Sequence, residues 1–338
     1  MRPSRRNIII ATRSSQLARA QSEAVGQYLQ SLNPRVQVEY IHIESDGDKV
    51  RNHPLAAIGG KGLFTRNIEH ALLTERADIA IHSYKDLPTE DTPGLVVAAT
   101  PGRRDPNDVL VSPHGQTLDA LPQGASVGTC SSRRGAQLLK LRPDLQVSPL
   151  RGNVDTRIRK IYDEKLFDAT LLALAGLQRL GINEYDNAKL SADDVLPACA
   201  QGALAIQCRA DDHVTIRRLL PLNDAVTNTA ITAERMIANG LNTDCHSPIA
   251  ALAEQVDLNL FRIRVRILST DGTTCLEADK TTPTRHVRKT CDAIINDLIK
   301  DGAAELLAKA THTGMNGTSQ SQIANPVVTP ATLLSSRA

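Results

Sequence analysis

Short apolar runs alternate with stretches of helical spacing along the first third of the chain. Asn7 to Ala11 is an apolar run of the kind a buried strand makes, and in Ser14 to Leu29 the residues Leu17, Ala20, Ala24 and Tyr28 share one helical face. Val36 to Ile43 is rich in β-formers, and Gly62 to Glu75 returns to helical spacing through Phe64, Ile68, Ala71 and Leu72. Asp78 to His82 is another short strand, and it leads into the polar segment "HSYKDLPTE". Strands alternating with helices predict crossover units and a largely parallel sheet with helices on both faces.

Proline, glycine and charge interrupt this pattern at Thr100 to Asp108, "TPGRRDPND", which predicts a hinge or domain crossing. The pattern then echoes itself. "ATRSSQLARAQ" at 11–21 lies beside "GTCSSRRGAQL" at 128–138, and "ADIAIHSYKD" at 77–86 beside "FDATLLALAG" at 167–176, in the same order. Two similar doubly wound domains follow from this. The last third differs: Asp224 to Asn239 reads as a helix closed by Gly240 in the position that tolerates a left-handed residue. "FRIRVRI", Phe261 to Ile267, alternates as a strand with one wet face does, and Val287 to Ala308 is helical, so this part reads as a small α+β domain. From Thr311 the chain is rich in Ser, Thr, Asn, Gln and Pro and reads as a disordered tail.

Composition narrows the function classes. The 338 residues predict two or three domains, and 41% hydrophobic with 22% charged residues is a soluble globular balance. Aromatic residues make up 2% with no Trp, so cores must be aliphatic, and binding by aromatic stacking, as on a single-stranded nucleic-acid platform, is disfavoured. A net charge of +2 means that anion binding must come from local placement of arginine and lysine. The apolar run after "MRPSRRN" is too short for a signal peptide, and no stretch approaches the ~20 apolar residues of a membrane helix. Six cysteines, at 130, 199, 208, 245, 275 and 291, include no C-x-x-C pair, as expected of reduced cytoplasmic thiols.

Candidate chemistry collects where strands end. "TRSSQ" at 12–16 and "TCSSRR" at 129–134 place small hydroxyl residues and arginines at strand-to-helix turns, where free backbone N–H groups favour an anion. Capping alone would explain either turn. Two of them at the carboxyl ends of strands, where open α/β sheets bind ligands, point to a site. "LRGNVDTRIRK", 150–160, repeats the theme with Arg151 and Arg157, against the simpler reading of a solvated basic helix face. Lys85 and Asp86 follow a buried strand; there a carboxylate can stabilise a developing cation and a lysine can bind an anion. "GGKGLF", 59–64, lacks the phosphate-loop arrangement because Gly62 follows Lys61, and reads as a flexible loop. In "NTDCHSPIA", 242–250, Cys245 has only His246 near it as a second metal ligand, and Asp244 beside it disfavours a thiolate. A buried structural thiol and a nucleophile both remain open on these residues alone.

Taken together, these segments resemble the hydroxymethylbilane synthase (porphobilinogen deaminase) family to about residue 310. The matching stretches are "IATRSSQLA", "GGKGLF", "ADIAIHSYKDLPTE", "RDPNDVLVS", "VGTCSSRRGAQL", "LRGNVDTR", "LALAGLQRLG", "LPACAQGALAIQCR", "TAER" and "DCHSPIA". The resemblance implies an enzyme that joins four porphobilinogen molecules head to tail with loss of ammonia, then releases linear hydroxymethylbilane by hydrolysis. It implies a dipyrromethane cofactor bound covalently through Cys245. Asp86, with Lys85, takes the catalytic role: the carboxylate contacts pyrrole nitrogens and stabilises the azafulvene cation formed as the amine leaves. The cofactor is further held by Ser83, Lys85, Asp86, Ser131, Arg133 and Arg134. Substrate binding falls to Arg13, Ser15, Gln21, Phe64, Arg151, Arg157 and Arg179.

The implied fold is two periplasmic-binding-protein-like α/β domains with a cleft between them, 5–101 with 202–221 and 105–198. A small α+β domain at 224–310 and the tail at 311–338 complete it. A cytoplasmic monomer is implied, with no metal, nucleic acid or membrane partner, passing its product to uroporphyrinogen-III synthase. The chain departs from the family's usual pattern at Ala57, Gln16, Ala20 and Ser132, and has Thr243 and Asp244 where Gly-Gly commonly precedes the cofactor cysteine. His246 has no assigned role. A non-catalytic carboxylate-binding module would explain the arginines and the hinge but neither Asp86 nor Cys245. A zinc enzyme using Cys245 and His246 would need bound metal.

Overall fold

The computed structural model describes residues 7–44, 65–113, 115–243 and 247–316, with only the backbone of 311–316. Three sheets organise these residues. The first contains β1 (Asn7–Arg13), β2 (Gln37–Ile43), β3 (Ile79–Ser83), β4 (Leu95–Ala99) and β9 (Leu204–Arg209), in the order β2-β1-β3-β9-β4. The second contains β5 (Asp108–Val111), β6 (Ser126–Gly128), β7 (Gln146–Ser148) and β8 (Ala169–Ala173), in the order β5-β8-β6-β7. The third is the meander β10 (Ile249–Asp257), β11 (Leu260–Leu268) and β12 (Cys275–Pro283).

Helices cover both faces of the first two sheets, which makes them doubly wound. On the first, Ile8, Ile10, Ile79 and Ile206 pack with Val25 and Leu29 of α1 (Gln16–Leu32). Ala11 and Ala80, on the opposite face, pack with Ile68 and Leu72 of α2 (Arg66–Leu73). On the second, Val127 and Leu171 meet Leu138 of α3 (Ser132–Leu141). Val109 and Leu172 meet α4 (Val154–Tyr162) and α5 (Leu174–Arg179) through Ile158 and Leu177. A short helix α6 (His213–Leu219) follows β9. The third sheet buries Ala251, Ile263, Val265 and Ile267 against α7 (Ala225–Gly240) and α8 (Val287–Lys300). These cores are almost wholly aliphatic, each buried Leu or Ile contributing about 1.5–3 kcal/mol.

Four strands of the first sheet correspond to the four of the second, β4 having no counterpart. In each, a parallel pair (β1 with β2, β6 with β7) is followed by a third parallel strand (β3, β8) and then by an antiparallel one (β9, β5). Both sheets are therefore mixed rather than largely parallel. The antiparallel strands are the two that the chain enters from the other sheet, through residues 100–107 and 199–203, rather than by a crossover within their own sheet.

Four local readings change. Gly240 is not left-handed; Asn242 is, with φ 51°. Gly240 is small for another reason: an added Cβ would come within 2.6 Å of Ile295 Cδ1 on α8. The helical run from Val287 divides at Gly302 (φ 94°) into α8 and α9 (Ala303–Asn316), so helix continues past Thr311. The arginine face of β11 is not wet throughout. Arg264 donates to Asp193 at 2.6 Å and to Glu254 at 2.7 Å, and Arg266 to Gln137 at 2.9 Å and the Asp194 carbonyl at 2.8 Å, tying this sheet to the second.

Candidate functional site

The echoed turns have the same build. Ser15 follows β1, and its Oγ accepts from the Ala18 N–H at 3.3 Å; Ser131 follows β6, and its Oγ accepts from the Arg134 N–H at 3.4 Å. Each serine uses an extended backbone to cap the helix, leaving first-turn N–H groups at the carboxyl edge of its sheet. The two edges face each other. Gln21 of α1 donates to Ser83 Oγ at 3.0 Å, and a small cavity between the sheets is lined by Gln21, Ser83, Lys85, Arg179, Gly202 and Ala203.

Asp108, the first residue of β5, is fully buried and organises the cations behind this cleft. Its Oδ2 accepts from Arg133 Nη2 at 2.7 Å, and its Oδ1 from Arg134 Nη2 at 2.6 Å and Gln201 Nε2 at 2.8 Å. Gln201 Oε1 in turn accepts from Lys85 Nζ at 3.0 Å. The arginines' other terminal groups donate to the carbonyls of Leu196 (2.8 Å) and Leu171 (2.9 Å). Arg133 and Arg134 are only 4% and 6% exposed, and the Nε of each has no hydrogen-bond partner. A buried donor left unpaired costs about 1–3 kcal/mol, so an acceptor in the cleft would stabilise both.

The charges are close enough to shift one another. Burial would raise the Asp108 carboxyl, but Arg133 and Arg134 outweigh it and hold the group well below the usual carboxylate range. Burial, with Arg134 beside it, pushes Lys85 down to about 8 against the pull of Asp86 and Asp108. Burial lowers Arg157 to about 10, with Arg134 and Arg151 adding to the shift and Cys130 and Asp86 opposing it. Arg179, half-buried and near Arg104, also falls to about 10, chiefly by burial, and its Nη2 donates to the Gly202 carbonyl at 2.6 Å. Both arginines keep their charge at neutral pH. The imidazole of His82 is pushed down to about 4, chiefly by burial; the charges of Arg13 and Asp86 both reach it. Asp86 itself is exposed, at the end of the single helical turn Tyr84–Asp86.

Gln21, Ser83, Lys85 and Arg179 thus line one cavity, with Arg133 and Arg134 buried behind it and Asp86 within electrostatic reach of Lys85. Arg157 lies within electrostatic reach of Asp86 and Arg134, Arg151 within reach of Arg157, and Arg13 within reach of His82. Arg157, half-buried with Nε on the Gly152 carbonyl at 2.8 Å, does not belong to a wholly solvated helix face. Cys245, Phe64, Ala57, Asp244 and His246 lie outside the described residues. Thr243 is buried, its hydroxyl donating to the Ala238 carbonyl at 2.8 Å, so the threonine closes the end of α7. Among the described residues no group of three or more His, Cys, Asp or Glu is placed to hold a metal, and no helix is long and apolar enough to cross a membrane. A larger cavity of about 530 Å³, over Tyr162 and Tyr185 in the second sheet's layer, contains none of these site residues.

Sequence reasoning assigned no role to Asp108, Gln201, Arg103 or Glu234. Glu234, in "TAER", is fully buried and takes a two-pronged contact from Arg103, at 2.6 and 3.1 Å. It also accepts the N–H groups of Ala200 (2.6 Å) and Ala253 (2.8 Å). All four residues stand in, or just beside, segments that carry the family resemblance, which was the available signal.

A sequence profile described as "Porphobilinogen deaminase, dipyromethane cofactor binding domain" matches residues 8–217. The porphobilinogen deaminase of Syntrophotalea carbinolica is 42% identical over 299 residues, 88% of this chain and 94% of that protein. That of Desulforudis audaxviator is 42% identical over 305 residues, 90% of this chain and 98% of that protein. A solved periplasmic binding protein of Salmonella typhimurium aligns over 68% of this chain and 97% of its own, at 13% identity and a TM-score of 0.32.

Proposed function

The chain belongs to the porphobilinogen deaminase family of transferases, and we propose that it condenses four porphobilinogen molecules head to tail onto a dipyrromethane primer attached through Cys245. Ammonia leaves at each step, and hydrolysis then frees linear hydroxymethylbilane for uroporphyrinogen-III synthase. The observation that carries this reading is an exposed carboxylate, Asp86, among Lys85, Arg134 and Arg157, with two buried guanidinium Nε atoms lacking acceptors. Each porphobilinogen unit brings two carboxylates, so the growing chain needs many cations on a nearly neutral protein, while the reacting carbon needs one anion.

The residues present fit a dipyrromethane. Its acetate and propionate groups would be held by Ser83, Lys85, Ser131, Arg133 and Arg134, with the unpaired Nε atoms as ready donors. When bound, the group supplies the pyrrole carbon to which each new unit is joined. Arg13, Ser15, Gln21, Phe64, Arg151, Arg157 and Arg179 receive the carboxylates and ring of the incoming substrate. Asp86 accepts pyrrole N–H and stabilises the cation left on the substrate when ammonia departs. Lys85, held by Gln201, balances that carboxylate and binds anions. The sheets support domain borders at 5–101 with 202–221, 105–198 and 224–310, and we take the enzyme to be a cytoplasmic monomer.

Intact mass tests the anchor. Purified protein should exceed its sequence mass by one dipyrromethane, and Cys245→Ala should lose that increment; an unmodified, fully active protein rules the mechanism out. Asp86→Asn should keep the increment and lose turnover by at least about 100-fold, since geometry survives and charge does not. Wild-type turnover in that variant would remove Asp86 from the chemistry.

A further inference from the structure

Arg235 sits on α7, among the elements of the third sheet, yet its guanidinium serves the loop that follows Asp86. Nη1 donates to the Leu87 carbonyl at 3.3 Å; Nη2 donates to the carbonyls of Pro88 at 2.6 Å and Thr89 at 3.2 Å. Its Cζ stands 4.9 Å from the centre of the Tyr84 ring, and Asp91 Oδ1 lies 3.8 Å from Nη2. One fork therefore fixes three consecutive carbonyls and one aromatic face, which an ammonium group on a flexible stem cannot reproduce.

The turn before these carbonyls is tied as well. Tyr84 N–H donates to the Ala203 carbonyl at 3.1 Å, Leu87 N–H donates to the Tyr84 carbonyl at 3.1 Å, and the Leu87 side chain is buried. Asp86 thus lies between a tie to Ala203, the residue before β9, on one side and Arg235 on the other, with a single helical turn between them. The residue before Arg235 is Glu234, whose carboxylate is locked to Arg103 and two backbone N–H groups, so this part of α7 is itself fixed.

We infer that Arg235 is a positioning residue for the reaction: it clamps the backbone just after Asp86 and so sets where that carboxylate stands relative to Lys85 and the arginines. This rests on the role of Asp86 proposed above and extends it to a residue that need touch no substrate atom. A misplacement of about 1 Å costs on the order of 100-fold in rate where charge must meet a reacting centre.

The test uses the cofactor-loaded full chain. Arg235→Lys should keep the dipyrromethane mass, lower kcat by about 10- to 100-fold and leave KM within about two-fold. Hydrogen exchange should accelerate at 84–91 and not in α7. In the Asp86→Asn background the same substitution should lower the residual rate by less than about two-fold, because the carboxylate it serves is already gone. An equal loss in both backgrounds, or wild-type kcat despite faster loop exchange, would overturn the positioning role. Arg235→Gln serves as second variant should the lysine protein not accumulate. Failure of the underlying reading has its own signature, undiminished turnover in Asp86→Asn alone.

Discussion

Lys85 lies within electrostatic reach of Arg133, Arg134, Asp86 and Asp108, and burial among these charges brings its ammonium from the ordinary 10.5 to about 8. Because the folded pKa lies below the unfolded one, the folded chain gives up this proton first. Holding the charge therefore costs stability below about pH 8, and that cost is relieved as pH rises from about 8 toward 10.5. Binding runs the other way, since a neutral amine attracts no carboxylate. For protein produced without its primer, affinity for a dipyrrole bearing acetate and propionate groups should fall as pH rises through about 8, and Lys85→Arg should flatten that fall; calorimetric titration on both sides of that pH measures it. Equal affinity across the range would exclude Lys85 as an anion receiver. Lys85, Asp86 and the arginines were legible in the sequence because charge beside the end of an apolar strand is conspicuous. Asp108 and Gln201 were not: their partners stand 25 and 93 residues away, and a lone carboxylate at a strand start looks like any solvated one.

The strand-to-helix turn is the element the sequence showed best. Serine caps at Ser15 and Ser131 read locally, through a hydroxyl three residues ahead of the N–H it accepts, and the folded turns keep that spacing. Strand direction is not local information. β5 and β9 are apolar runs like their neighbours, and only the path of the chain between sheets makes them antiparallel. The crossing at 199–203 depends on close backbone approach. Gly202 has φ 87°, and a Cβ there would stand 2.4 Å from the Arg104 carbonyl oxygen, while the Arg104 N–H donates to the Gly202 carbonyl at 3.2 Å. Backbone atoms cannot step aside as side-chain ends can. Gly202→Ala should lower stability by about 3 kcal/mol or more, combining a left-handed residue with a backbone clash. It should also weaken substrate binding, because the Gly202 carbonyl holds Arg179. Urea unfolding and KM measure the two effects, and a wild-type midpoint would show that the two crossings can separate without cost.

Three sheets meet at one buried ion pair. Arg103 comes from the first crossing, its backbone N–H donating to Thr227 Oγ1 on α7 at 2.9 Å and its Nε to the Gln201 carbonyl in the second crossing at 2.8 Å. Glu234 answers from α7 and also receives the N–H of Ala253 in β10. Burial pushes the Glu234 carboxyl up while Arg103 pulls it down, so the pair is sustained by geometry that leaves no oxygen idle. The β11 arginines, Arg264 and Arg266, add a second seam between the third sheet and the second. Glu234→Gln preserves shape but offers one acceptor oxygen where two were used, and leaves the Arg103 charge largely buried. The loss should be about 3–5 kcal/mol, and it should fall on the joint rather than on any one core. Thermal unfolding should therefore split, with the third sheet melting ahead of the other two. Replacing both partners, Arg103→Met with Glu234→Leu, removes the stranded charge and should destabilise less than Glu234→Gln alone. A single transition at the wild-type temperature in Glu234→Gln would mean that the apolar contacts of α7 and the β11 arginines suffice to hold the three sheets together.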